Sequence, residues 1–198
     1  MKIITILETL VVAALAANQA HAAPISLDNA SITARYQGTA EGMLGLDHGF
    51  QPEAGSNTTG LDPSDSGVEF LTSDYLFGFD FSTTGLLTIY NNMPAPSGGD
   101  YTVSFDFGST LAAPITSFAL VDGSMVSGVP GLSILNSHSI ALDLSQLTWN
   151  GDFSTISAQI GTTAADVPEP ANPALMLAGV AALAMSRRKR RSTHTPRT

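Results

Sequence analysis

The sequence predicts an all-β fold, a β-sandwich for which a jelly roll is one arrangement, with an N-terminal signal peptide and a single hydrophobic helix near the C-terminus. Three observations lead there. Several short runs alternate apolar and polar residues at period two; Gly, Pro, Asn and Asp separate these runs; and no long stretch between residues 23 and 166 has helical spacing. Period-two alternation places one set of side chains on one face of a sheet, and many short punctuated strands point to two packed sheets.

Along the chain, Lys2 precedes an apolar stretch from Ile3 to Ala17, and Ala20-His21-Ala22 follows as an A-x-A cleavage pattern. Residues 1–22 therefore read as a secretory signal peptide, cut after Ala22. The exported domain is expected over 23–160. Gly38 to Gly49 leaves room for a short helical turn. Gln51 to Gly67 is almost wholly Gly, Pro, Ser, Thr, Asn and acid, and is expected to be a mobile loop.

Phe77-Gly78-Phe79-Asp80-Phe81 is a strand with its rings on one face, and Leu86 to Tyr90 is another apolar run of strand length. Asn91 to Asp100 reads as a loop. Tyr101 to Phe107 is the clearest strand, with Tyr101, Val103, Phe105 and Phe107 at odd positions and polar residues between them. Ile115 to Val121 follows, then a loop over Asp122 to Gly131, then Ile140-Ala141-Leu142-Asp143-Leu144. The apolar register changes from even at Leu144 to odd at Leu147 and Trp149, which suggests a bulge near Ser145-Gln146. Asn150-Gly151, between Trp149 and Phe153, reads as a tight hairpin turn. Ile156-Ser157-Ala158-Gln159-Ile160 closes a set of roughly seven to nine strands. A linker is expected over 161–166.

Charge is unevenly distributed. The chain carries a net −9, yet residues 23–166 hold fifteen Asp and Glu against Arg35 alone, a charge of −14, while residues 171–198 hold +6. Such a domain lacks the Lys and Arg that nucleic-acid binding requires, so no nucleic-acid partner is expected. There is no cysteine, which excludes disulfides, thiolate metal sites and cysteine nucleophiles.

The C-terminal segment combines Val167-Pro168-Glu169-Pro170, a charge-free run from Ala174 to Met185, and Arg187-Arg188-Lys189-Arg190-Arg191. Extended to Ala171–Ser186, the apolar run has 16 residues. As a helix it would reach ~24 Å, against a bilayer core of ~30 Å. It suits a transient membrane stop whose basic cluster stays in the cytoplasm. The two prolines hold the preceding segment extended, a form a protease can grip. This three-part order resembles the PEP-CTERM sorting signal of Gram-negative bacteria. The resemblance implies that Pro168, Glu169 and Pro170 are read by an exosortase-type membrane protease, with Arg187 to Arg191 as the basic anchor. It further implies passage through the inner membrane and delivery to the cell surface or extracellular matrix. The sorting signal is assigned to 167–191 and a disordered tail to 192–198. Expected partners are signal peptidase, the exosortase-type protease and extracellular polysaccharide.

Within the domain the chemical signals are sparse. Asp62, Asp65 and Glu69 lie near Gly67, where oxygen ligands could hold calcium, although the spacing is not that of an EF-hand loop. A solvated acidic turn is the alternative, and no other cofactor is expected. Asp47-His48, Asp74 and His138 are the residues available for acid–base work. There is no Gly-x-Ser-x-Gly elbow, HExxH motif or phosphate-binding glycine loop, so no enzyme is expected. Phe70, Tyr75, Tyr90, Tyr101 and Trp149 could supply a sugar-stacking face. The expected function is a structural or adhesive role in an exopolysaccharide or biofilm layer. A carbohydrate- or calcium-dependent binding module is the alternative, and a secreted hydrolase a weaker third reading.

Overall fold

The computed structural model of the chain describes residues 23–64, 67–93 and 99–162, all within one compact unit that ends at Thr163. Among the described residues fourteen strands form, in chain order: β1 (Ala23–Pro24), β2 (Ser31–Tyr36), β3 (Met43–Gly45), β4 (Thr58–Gly60), β5 (Phe70–Thr72), β6 (Phe77–Phe81), β7 (Leu86–Asn91), β8 (Thr102–Asp106), β9 (Ser117–Asp122), β10 (Val126–Ser127), β11 (Gly131–Asn136), β12 (Ser139–Asp143), β13 (Thr148–Trp149) and β14 (Thr155–Thr162). One 3₁₀ turn, Leu46–His48, falls inside the stretch expected to turn. The fold is all-β, as the alternation predicts.

Every pairing is antiparallel. One seven-stranded sheet runs β1-β14-β7-β6-β5-β3, with β9 also paired to β14; a five-stranded sheet runs β11-β12-β8-β2-β4; β10 and β13 form a small third sheet. Ser157, Ala158 and Gln159 of β14 pair with both β7 and β9, so those two strands flank β14 on opposite sides.

The two large sheets meet face to face, as in a β-sandwich. Phe70, Phe77, Phe79 and Phe81 of the first sheet are fully buried, as is Phe105 of the second. The Phe105 ring lies 4.9 Å from Phe81, 5.2 Å from Phe79 and 5.8 Å from Phe70. Phe77 meets Tyr101 at 5.4 Å and Trp149 at 5.8 Å. These tilted and edge-on contacts match the quadrupole of each ring and add about 0.5–1.5 kcal/mol per pair beyond area burial. Tight turns keep the layers close. Gly85, between β6 and β7, has φ +79, and a Cβ there would lie 2.5 Å from Ile25 Cγ2, so glycine is required by both conformation and space.

Several expectations change. The segment Gln51–Gly67 is not a plain loop: Thr58–Gly60 pairs with β2, and the buried Ser56 hydroxyl donates to Met43 O at 3.2 Å. Asn150-Gly151 turns the chain but makes no hairpin. Its preceding strand, β13, pairs with β10, and the turn is held by Asn150 N–H on Met125 O (3.1 Å) and Phe153 N–H on Asn91 O (2.8 Å). The register change after Leu144 is a break between sheets and not a bulge. Ser145 N–H donates to Asp143 Oδ1 at 2.9 Å, and its hydroxyl accepts Tyr101 N–H at 2.9 Å. In β2, Ile32, Ala34 and Tyr36 alternate and are all buried, but the residues between them are too mixed for the strand to stand out in sequence.

Candidate functional site

The acidic turn divides in the fold. Asp62 folds onto its own turn: Oδ1 accepts Ser64 N–H at 2.9 Å, and the Ser64 hydroxyl lies 2.7 and 2.8 Å from its two oxygens. Glu69 points inward and is fully buried. Its Oε2 accepts Phe81 N–H at 2.7 Å and its Oε1 accepts Asp62 N–H at 3.2 Å. Burial pushes its carboxyl up to about 7, while the Phe81 and Asp62 amides pull the other way. Asp62 thus meets Glu69 through its amide and not its carboxylate. Asp65 lies outside the described residues. Among the described residues no group of three His, Asp or Glu side chains is placed to hold a metal ion. The burial of Glu69 is hidden in the sequence because Phe70 beside it is buried too, so alternation breaks there.

The acid–base candidates are dispersed. Asp47 Oδ2 accepts Gly60 N–H at 2.8 Å, and Asp47 N–H donates to Thr59 Oγ1 at 3.0 Å; this carboxylate pins β4 to the 3₁₀ turn. His48 Nδ1 lies 2.6 Å from Glu53 Oε1 at the surface. Asp74 Oδ2 accepts the Tyr36 hydroxyl at 2.9 Å, and burial, then Asp74, raise that hydroxyl above the usual tyrosine range. His138 Nδ1 pairs with Ser137 Oγ at 2.9 Å. No hydrogen bond joins any two of these four residues, and none lines either cleft described next.

Shallow surface clefts formed by described residues include these two. One, of about 260 Å³, runs between Glu41 and the 52–57 segment. The other, of about 290 Å³, lies on the five-stranded sheet and is lined by Thr33, Arg35, Ser104, Asp106, Leu135 and Ser139, among others. Register explains the grouping: Thr33 pairs with Asp106 and Arg35 with Ser104 across β2 and β8, while Asp106 pairs with Ser139 across β8 and β12. These are the polar partners in the alternation whose apolar members, Phe105 and Val103, build the core. The Arg35 guanidinium makes no hydrogen bond or ion pair among the described residues. Asp106 Oδ1 accepts Gly108 N–H at 2.9 Å. A guanidinium, a carboxylate and three hydroxyls in one cleft offer donors and acceptors to a hydroxyl-rich ligand.

The aromatics expected as a stacking face are divided between core and surface. Phe70 and Tyr101 are buried, and Trp149 packs on Phe77. Tyr90 is half-buried, with its hydroxyl 3.3 Å from Asp80 Oδ2; Tyr75 is exposed.

The processing residues fall elsewhere. Ala20 and Ala22, Val167 to Pro170, the apolar run and Arg187 to Arg191 lie outside the described residues. Among the described residues no helix is long and apolar enough to cross a membrane. Comparison with protein families matches residues 166–191 to the PEP-CTERM protein-sorting motif. No curated protein and no solved structure matches the chain. The matched range takes in Pro168-Glu169-Pro170, the apolar run and the basic cluster. The chain carries a PEP-CTERM protein-sorting motif, the mark of export to the cell envelope or surface by exosortase-type sorting.

Proposed function

We propose that the exported domain is a non-enzymatic structural or adhesive component of the exopolysaccharide or biofilm layer. In this reading signal peptidase cuts after Ala22, the Ala174–Met185 run holds the chain briefly at the inner membrane, and cleavage near Pro168–Pro170 releases the domain. The sorting motif at residues 166–191 carries the proposal. Removing the basic tail leaves a strongly acidic sandwich, soluble and repelled by anionic membranes. A jelly-roll form of that sandwich is part of the same reading, supported by a chain that crosses between the large sheets from β1 through β5 and again from β7 to β9. Intact-mass measurement of the surface and matrix fractions tests it, in a host with exosortase and in the same host lacking it. The expected result is a protein shortened at both ends in the first host alone. A retained C-terminus in the first host overturns it.

A second reading, a neutral-glycan binding module, is favoured by the Arg35 cleft. Arg35 is the one cation of residues 23–166 and is unpaired among the described residues. The charge of −14 favours a neutral glycan over an acidic one. Calorimetry with neutral oligosaccharides, with and without calcium, tests it: heat of binding abolished by Arg35→Ala supports the reading, and no heat in any arm removes it.

A further inference from the structure

The two sides of the sandwich end differently. On one side the sheets close with β3 and β4, three residues each, and every residue of β3 is buried. On the other side they end in β9 and β11, six residues each and largely exposed. β9 pairs only with β14, and β11 only with β12, among the described residues. The two strands lie close together, so two open sheet edges stand side by side.

This edge is also apolar. Leu120 and Val121 of β9 and Ile134 and Leu135 of β11 are exposed, four of the nine exposed large hydrophobic residues among the described residues, and Met125 and Val129 in the segment between the two strands are exposed as well. Val121 is 61% exposed and Leu135 58%. Between Asp106 and Asp143 the sequence holds a single formal charge, Asp122. Neither β9 nor β11 contains Lys, Arg, Glu or Pro; Asp122 at the end of β9 and one register shift in each strand, at Val121 and at Leu135, are the devices that guard this edge against pairing.

We propose that this edge joins a second copy of the same chain, β9 and β11 of one molecule meeting β9 and β11 of the other about a two-fold axis. Charge selects the occupant. Two domains of −14 repel each other, and the repulsion is weaker along β9 and β11, where Asp122 is the one charged residue of the two strands and Asp143 lies across from Gly131 at the start of β11. A glycan would leave the apolar side chains uncovered. An isologous arrangement sets each apolar edge against its own copy, so one sequence supplies both halves of the contact. Paired edges also satisfy the open backbone N–H and C=O groups, as in strand addition. The inference does not rest on the structural role proposed above, but it gives that role a means: exported molecules that join without a separate partner.

The test uses the exported protein purified from its host, by sedimentation over a range of concentrations. The wild type is expected to form a dimer. Val121→Lys and Leu135→Lys are expected to raise its midpoint concentration by at least about tenfold, since each buries an ammonium on both sides of the axis. Gln51→Lys, an exposed position fastened to the 3₁₀ turn beside the closed β3–β4 side, makes the same charge change and is expected to leave the midpoint alone. Thermal melts show whether each variant stays folded. Because the chain has no cysteine, Ser133→Cys on β11 gives a second readout that needs no destabilising change: faster covalent dimer formation on oxidation than Gln51→Cys. A wild type that stays monomeric throughout overturns the proposal, whether another segment of the chain or a different partner covers the edge. So does association unchanged by both Lys variants, or a Ser133→Cys dimer that forms no faster than the control.

Discussion

Glu69 is a carboxyl placed where water cannot reach it, with two backbone amides as its partners. Burial raises it from 4.5 to about 7. In that window the folded protein binds a proton that the unfolded chain has released, so stability falls as pH rises from about 4.5 to about 7. The whole effect is about 3 kcal/mol, because each tenfold change in proton affinity is worth ~1.4 kcal/mol. The melting temperature is therefore expected to rise as pH is lowered from 7.5 towards 5. Glu69→Gln is expected to flatten that rise, because a neutral amide has nothing to titrate. Acidification also relieves repulsion among the other carboxylates, but both proteins share that contribution, and their difference in circular-dichroism melts isolates Glu69. Equal slopes would remove the assignment. At lower pH the sign reverses. Asp122, held below the usual carboxylate range by Ser124 N–H and hydroxyl, and Asp143, held there by the Ser145 hydroxyl and amide, lose their favourable contacts as pH falls through their lowered values.

At the scale of elements, β8 joins the two sheets through its inward face. Phe105 touches rings from β5 and β6, while Ser104 and Asp106 face outward into the Arg35 cleft. Phe105→Ala is expected to cost about 3–5 kcal/mol, because three surrounding rings cannot all collapse into the space. Chemical denaturation measures this, and Ser104→Ala on the same strand should change stability by less than about 0.5 kcal/mol. The strand was legible in the sequence from its four alternating large residues. The hairpin and bulge expected between Leu144 and Phe153 were not realised, because a local turn signal does not say which strand lies next to it. Trp149 belongs to the small β10–β13 pair, and the turn after it is fastened by Met125 and Asn91, residues far away in sequence.

At the scale of the whole molecule, the chain is an acidic sandwich joined to a basic sorting tail. Under the processing proposed above, replacing Pro168 and Pro170 together by Ala is expected to keep the C-terminus on the protein, since the motif loses the two residues whose rings fix φ. Mass spectrometry of the cell-associated protein reads this directly, and normal cleavage of the variant would show that the prolines are dispensable. The variant's domain should melt at the wild-type temperature, because the compact unit ends at Thr163.

The sequence by itself determined the all-β character, the inward faces of the main strands, the sorting motif and the separation of charge between domain and tail. Each is written in local order: alternation fixes side-chain direction residue by residue, and a sorting motif is read as a short linear segment. Only the tertiary structure decided that Glu69 turns inward, that Arg35 shares a cleft with Asp106, and that β9 and β11 are left as open apolar edges. These depend on which strands pair across long separations, and pairing is settled by the closure of the two sheets around one core, not by any local pattern.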